Sequence, residues 1–400
     1  MKALVLAAGR GTRMSPLTRT RPKPLLPVGD STLLERCLDA AAPYVDGYVV
    51  VVGYRGDDVR RAVGDEHRGL PVTYVEQEER MGTGDAVLRA EREVGDRFLV
   101  FNGDLYFDAG AVEDVVRSRS NVVSVVEVDR PEEYGVVAVD GGTAAEIVEK
   151  PDEPPSNLAN AGVYAFTSEV FDRLRDVEPS ARGEIEVTDA IAAMIDGGVE
   201  FDVVEIDGSW KDVGYPWDLL SANRAWLDDV ERRVEGDVAD SAVVDGDVVV
   251  EEGAVVREGS VVEGPAYLAE DVDVGPNAYV RGGSVLLDGA RVGHAVEVKA
   301  SLLLEGATAA HLSYVGDSVL AEDVNLGAGT VTANLRHDGR EVVAHVNGEE
   351  VGTGMRKLGA VLGARAKTGV NTSLDAGVRL GPGETTAPGE AVTRDRGVEV

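Results

Sequence analysis

The chain has 400 residues, a formal net charge of −33 and one cysteine, Cys37. That length suffices for two domains that each bury a core, and a lone thiol excludes an internal disulfide and suits a reducing compartment. Acids run along the whole chain with no basic patch, which excludes nucleic acid as a partner. No stretch is long and apolar enough to span a membrane or, broken as the first one is at Gly9, to serve as a secretion signal, so a cytoplasmic protein is expected.

The first element is an apolar run at residues 3–8, read as a central parallel strand. Gly9-Arg10-Gly11-Thr12-Arg13-Met14 follows it directly, with Arg21-Pro22-Lys23-Pro24 behind. Gly9 and Gly11 let backbone amides turn toward an anion, while Arg13 and Lys23 add full charges. The spacing is neither that of a Walker loop nor that of a dinucleotide loop. A plain strand-to-helix turn is the alternative reading of the glycines. A helix is expected over 33–42, with Cys37 as a small packing residue inside it. Further strands are expected at 48–52, 72–75, 98–101, 122–128, 163–166 and 201–206, alternating with helical stretches, and a helix over 216–234 leads out of the region. This alternation describes an α/β domain with a mostly parallel sheet, whose ligands bind at the carboxyl ends of the strands. Arg10–Arg13 and Asn102-Gly103-Asp104 both fall on that edge.

From Val238 the pattern changes. Aliphatic residues recur at every sixth position at Val238, Val244, Val250, Val256, Val262, Leu268, Val274, Val280, Leu286, Val292, Val298 and Leu304. The register lapses at Ala310, resumes at Leu320, Leu326 and Thr332, breaks around residues 337–354, and returns at Leu362, Thr368, Leu374 and Leu380. Such a hexad describes a parallel β-helix, with one inward aliphatic per short strand and each coil buried only against its neighbours.

With Trp210-Lys211-Asp212-Val213-Gly214-Tyr215-Pro216-Trp217-Asp218-Leu219-Leu220 added to these motifs, the chain resembles, over nearly its whole length, the bifunctional sugar-1-phosphate nucleotidylyltransferase/acetyltransferases of the archaeal type, which make UDP-N-acetylglucosamine. The resemblance implies a Rossmann-like nucleotidyltransferase domain over 1–227 and a left-handed β-helix acetyltransferase domain over 228–400 that assembles a homotrimer. It places the nucleotide at Leu6, Ala7, Ala8, Gly9, Gln77, Gly82 and Thr83, with Arg13 and Lys23 as catalytic cations. It places the sugar phosphate at Gly135, Glu149, Lys150, Asn160 and Thr188, and Mg²⁺ on Asp104 and Asp212. In the second domain it implies His311 as the catalytic base and Arg281, Lys299, Tyr314 and Asn325 around a second sugar phosphate. Acetyl-CoA would meet Ala328 and Asn334.

The chemistry agrees with these roles. Attack of a sugar-phosphate oxygen on the α-phosphorus of UTP or dTTP crowds negative charge into one place, so positioning and neutralisation supply most of the catalysis. Two carboxylates plus substrate phosphates suit Mg²⁺. Acyl transfer to a 2-amino sugar needs a base near neutrality, which a histidine provides. Glu149 and Lys150 read equally as a surface ion pair. Gly84-Asp85 and the acidic loop at 336–354 depart from the family's pattern.

Two other readings compete. One is a glucose-1-phosphate uridylyl- or thymidylyltransferase whose β-helix only oligomerises, and the other is a non-catalytic sugar-nucleotide sensor, against which the retained Lys23, Asp104 and Asp212 speak.

Lysine is scarce, seven in all; Lys23, Lys150, Lys211 and Lys299 lie within the motifs above, and Lys357 lies near a further lysine or arginine that the resemblance implies. So acidic a surface repels itself in dilute buffer, and molar salt shortens the Debye length to about 3 Å. Chemical or thermal unfolding followed from low to molar KCl should show stability rising steeply with salt; a flat profile would remove the adaptation to salt.

Overall fold

The computed structural model describes residues 1–79, 81–107, 109–180 and 183–398. It divides into two compact units that interleave along the chain. The first holds residues 1–10, 22–26 and 31–212, and the second holds 11–21, 27–30 and 213–400. The phosphate-loop sequence is therefore split after Arg10, and everything from Val213 onward belongs to the second unit.

In the first unit the strands are β1 (Lys2–Ala7), β2 (Tyr48–Val52), β3 (Glu66–His67), β4 (Leu70–Glu76), β5 (Arg97–Asn102), β6 (Leu105–Phe107), β7 (Asn121–Glu127), β8 (Gly135–Asp140), β9 (Thr143–Glu149), β10 (Leu158–Thr167), β11 (Phe201–Glu205) and β12 (Trp210–Asp212). Among the described residues ten of them form one sheet in the order β8-β9-β11-β7-β10-β5-β1-β2-β4-β3, while β6 and β12 pair separately. All seven expected strands are present. The sheet is mixed rather than mostly parallel: β5, β1, β2 and β4 run parallel, but β10 runs antiparallel to both its neighbours and β8 and β9 form an antiparallel pair. β8 and β9 are not among the expected strands: β8 does hold the apolar run Val136–Val139, whereas β9 mixes apolar residues with Glu146 and Glu149.

The fully apolar strands are buried on both faces. One cluster joins Val5, Leu38, Val50, Phe101 and Val112; the other, on the opposite face, joins Leu4, Val49, Val87, Phe98 and Ile191. The helix α1 (Leu33–Ala41) starts on a capping box in which Glu35 N donates to Thr32 Oγ1 at 3.2 Å and Thr32 N donates to Glu35 Oε2 at 2.9 Å.

In the second unit, strands of two to four residues fall into three parallel sheets, each taking every third strand, apart from the antiparallel hairpin Val343–Val346 and Glu349–Gly352. This is the strand pairing of a three-sided parallel coil. Val244 opposes Val262 and Val250 opposes Leu268, so a coil spans eighteen residues. The break in register comes earlier than the spacing placed it: Leu286 opposes Leu303 and Val292 opposes Ala309, a coil of seventeen. Leu303 and Ala309 thus take the inward positions. The expected helix over 216–234 ends sooner, at Leu227, and Arg233–Val234 already pairs with Val249–Val250 as the first strand of a sheet.

One of the three sheets buries its outward face as well as its inward one: Tyr267, Val285, Leu302 and Val319 are all buried. The helix Pro216–Leu227 supplies part of the cover, with Trp226 edge-on to Tyr267 at 5.2 Å between ring centroids. No helix among the described residues is long and apolar enough to cross a membrane.

Cys37 is buried in α1, its Sγ facing the carbonyls of Asn102 and Leu105 at 3.9 and 4.0 Å. Burial first, and then the Asp104 charge, push its thiol far above the ordinary range. Alkylation of the native protein by iodoacetamide at pH 8 should therefore be negligible and should become stoichiometric in denaturant; fast native labelling would refute this burial.

Candidate active site

In the first unit the carboxyl end of β1 meets a chain reversal at Gly53. A methyl added at Gly53 would lie 2.9 Å from Ala8 O and 3.2 Å from Gln77 O, so only glycine lets these two chain segments approach. Ala8, within the 6–9 segment, and Gln77 are thereby brought side by side. Gly9 itself is exposed with open space about its Cα.

Lys23, at the start of a short 3₁₀ turn over Lys23–Leu25, is buried, and its Nζ donates to Asp104 Oδ2 at 2.5 Å. Asp104 is held from behind. Gly103 N donates to Leu6 O at 3.0 Å, and a methyl on Gly103 would come within 2.6 Å of that oxygen. Asp212 closes the pair through the backbone, because antiparallel pairing sets it opposite Leu105, the residue after Asp104. Two carboxylates at neighbouring backbone positions are a donor set that suits Mg²⁺, a hard cation that takes few protein oxygens and fills its octahedron with water and phosphate. No cluster of three or more potential ligands exists among the described residues. Arg13 lies in the second unit, in a short turn entered through Gly11 at φ 62°, with its guanidinium 5.1 Å from the Tyr215 ring centre.

Gln77 is buried, and its amide nitrogen donates to Gly82 O at 3.1 Å and to Asp85 Oδ2 at 2.7 Å. Both partners only accept, which fixes the amide orientation and leaves the oxygen as the group for a ligand. Gly82, at φ 100°, packs where a methyl would meet Ile185 O at 2.5 Å, and Thr83 Oγ1 accepts from Val187 N at 3.0 Å. The unusual Asp85 is thus a hydrogen-bond partner of Gln77.

Four of the five residues expected at the first sugar phosphate converge. A methyl on Gly135 would lie 3.0 Å from Glu149 Oε2, 3.4 Å from Thr188 Cγ2 and 3.6 Å from Asn160 Cβ. Lys150 follows Glu149 in the left-handed region at φ 46° with its side chain exposed. Asn160 Nδ2 donates to Tyr164 Oη at 2.7 Å, and burial pushes that phenol far up.

In the second unit the expected residues fall into two groups. Arg281 and Lys299 occupy one register position on successive coils, followed by Gly316. Arg281 pairs with Glu297 at 3.0 Å, and the hydrogen bond holds its guanidinium even more firmly charged. Lys299 Nζ donates to Asp317 Oδ2 at 3.0 Å, and Asn334 Nδ2 donates to the same oxygen at 2.7 Å and to Tyr314 Oη at 3.1 Å. The other group is His311, Asn325 and Ala328. His311 is exposed at the end of its strand, its carbonyl accepting from Gly329 N at 3.1 Å beside Ala328. Asn325 is exposed and pairs with Thr308 at the start of the same strand. Gly53, Gly103, Asp85 and Asp317 were missed as site residues. Of these only Asp85 stood out in the sequence, as a departure from pattern.

A family model described as nucleotidyl transferase matches residues 2–229. The bifunctional sugar-1-phosphate nucleotidylyltransferase/acetyltransferase of Sulfurisphaera tokodaii is 39% identical over 408 residues, covering 99% of this chain and 98% of the relative. The chain belongs to this bifunctional transferase family. The bifunctional protein GlmU of Methanococcus aeolicus is 38% identical over 382 residues, covering 95% and 92% of the two chains. A solved UDP-glucose pyrophosphorylase with UDP-glucose superposes with a TM-score of 0.52 at 25% identity, covering 57% of this chain and 98% of its own. The similarity to both bifunctional relatives spans both units, and the chain is an enzyme of their type, a nucleotidylyltransferase joined to an acetyltransferase.

The contact behind Asp104 is directly testable. Gly103→Ala should cost about 1–3 kcal/mol of stability through overpacking against Leu6 O. By displacing Asp104, it should lower nucleotidylyl transfer by one to two orders of magnitude (~10–100-fold), while acetyl transfer stays at the wild-type rate. Thermal melts and the two assays run side by side check it.

Proposed function

We propose that the first site joins UTP or dTTP to N-acetylglucosamine-1-phosphate with release of pyrophosphate, and that the second acetylates glucosamine-1-phosphate with acetyl-CoA. The two activities divide at 227/228, a functional boundary distinct from that of the compact units, the β-helix is left-handed, the assembly is a homotrimer and the protein is cytoplasmic and adapted to salt. The observation that carries the first activity is the ion pair of buried Lys23 with the partly exposed Asp104, with Asp212 opposite Leu105. Exposed apolar side chains on the coil, Leu312 at 64% and Val331 at 43%, support the assembly.

In the first reaction the amides from Leu6 to Gly9 receive the triphosphate, and the Gln77 oxygen accepts from N3–H of uracil or thymine, which cytosine lacks. Gly135, Glu149, Asn160 and Thr188 seat the sugar, with Lys150 at its phosphate. A phosphate oxygen of the sugar phosphate attacks the α-phosphorus, and the bond to the β,γ-pyrophosphate breaks in line. Lys23 and Arg13 balance charge on the reacting and departing groups. Asp104 and Asp212 would hold Mg²⁺, which when bound supplies further neutralisation and orientation of phosphate oxygens.

In the second reaction Arg281 and Lys299 bind the phosphate, while Tyr314 and Asn325 orient the sugar. The 2-amino nitrogen attacks the thioester carbon as the His311 imidazole takes its proton. Collapse of the tetrahedral centre breaks the C–S bond, and the proton passes to the departing thiolate. Ala328 and Asn334 would contact coenzyme A. On this reading the product of the second site is the substrate of the first.

His311→Ala should lower acetyl transfer by about 10²–10⁴-fold and leave nucleotidylyl transfer intact. Absence of acetyl transfer in the wild type would instead favour a glucose-1-phosphate uridylyl- or thymidylyltransferase with an assembling coil.

A further inference from the structure

The charges that the coil itself places around Lys299 have the wrong sign for a phosphate ester. On successive coils stand Glu263, Arg281 with Glu297, Lys299 and then Asp317. Glu263 accepts from Tyr279 Oη at 2.7 Å, and Arg281 is paired with Glu297 at 3.0 Å. The Asp317 side chain, 4% exposed, holds Lys299 at 3.0 Å. Three carboxylates against two cations leave a deficit of one.

A further cation comes from outside the coil. Arg224, in the last turn of the helix Pro216–Leu227, donates from Nη2 to Asp317 Oδ1 at 2.8 Å, on the carboxylate oxygen that Lys299 and Asn334 do not use. Its stem lies against the corner at Gly283, where a methyl would approach Arg224 Cγ at 3.9 Å. Asp317 stands in the left-handed region at φ 49°, and its backbone is fixed by N–H donation to Lys299 O at 2.9 Å and by acceptance from Gly359 N at 2.8 Å. The carboxylate therefore cannot follow one cation without leaving the other. Arg224 and Lys299 are 35% and 20% exposed at the side chain, so both remain open to an anion.

We propose that Arg224 is a phosphate-affinity residue of the second site. It occupies one oxygen of Asp317, so that Lys299 is not neutralised by an undivided carboxylate and the cluster can accept a sugar phosphate dianion. This inference rests on the reading of that site as one for an amino-sugar phosphate. An ion pair that merely fastens the helix to the coil would affect stability and both reactions alike. A unit charge a few ångströms from a dianion in a partly wetted site is worth about tenfold in affinity or more.

The test uses the full-length protein with Arg224→Met and Arg224→Lys. Arg224→Met should raise KM for glucosamine-1-phosphate about tenfold with kcat for acetyl transfer within about twofold, and Arg224→Lys, which keeps the charge, should recover most of the affinity. Nucleotidylyl transfer should be unchanged in both. Calorimetric titration with glucosamine-1-phosphate needs no turnover, and the weakened binding should fall on the class of site that Lys299→Met also removes. A wild type that binds there without acetylating would defeat the acetyltransferase reading and leave this one standing. Unchanged KM and binding in Arg224→Met, or equal losses in both reactions with a lowered melting temperature, would overturn the proposal.

Discussion

Binding phosphates to a chain that carries a formal charge of −33 requires that each useful cation be kept where it acts, among many carboxylates that compete for it. The structure meets this constraint by giving the cations assigned carboxylate partners at short range. Lys23 is set against Asp104, Lys299 against Asp317, and Arg281 against Glu297. A pair of this kind is a weak source of stability, because desolvation offsets much of the attraction where a partner is buried, as at Lys23 and Asp317, and solvent screens it where both are partly exposed, as at Arg281 and Glu297. Its value is positional: the side chain has little rotamer freedom left to lose, and the cation is already in place.

What could be read in advance follows from which interactions are local. Strands buried on both faces, such as β1, β2 and β5, are runs of aliphatic residues, and a run is visible in sequence. The coil is visible for a similar reason, since stacking forces the same inward residue to recur at Val244, Val262 and Val280. β9 mixes apolar residues with glutamates, and β8 and β9 form because Val136 and Val137 find partners in Val148 and Ile147 across the hairpin, a tertiary fact. The early end of the last helix has the same origin: Arg233–Val234 gain a parallel partner strand, and the gain in pairing exceeds what continued helix would offer.

The site residues divide along the same line. Lys23, Asp104, Asp212, Gly135, Glu149, Asn160 and Thr188 sit in motifs that a resemblance can carry, and the structure brings them together in the expected groups. Gly53 and Gly103 carry no chemistry, and their importance lies in a missing side chain beside a neighbouring carbonyl, which no spacing reveals. Asp85 shows how a residue out of pattern acquires meaning only with its partner. A carboxylate at this position has no evident purpose until the hydrogen bond from Gln77 shows it fixing which end of the amide faces outward.

The shortened coil makes the last connection. Arg281 is separated from Val285 by Gly282, Gly283 and Ser284, whereas Lys299 is separated from Leu302, the partner of Val285, by Ala300 and Ser301 alone. One residue is therefore missing at the corner next to Lys299. Had the eighteen-residue period continued, Asp317 would stand opposite Lys299; instead Gly316 takes that position and Asp317 turns the corner with positive φ. There its carboxylate reaches Lys299, Asn334 and Arg224 together. A repeat that keeps eighteen residues from Asp237 through Lys299 departs from its rule first at the corner where these cations are gathered. The deletion also gives glycine a reason to be there, since any side chain at 316 would collide with Tyr314 Oη and Asn334 Nδ2. Position 316 thus lets Tyr314 and Asn334 meet beside Asp317 without bringing a side chain of its own.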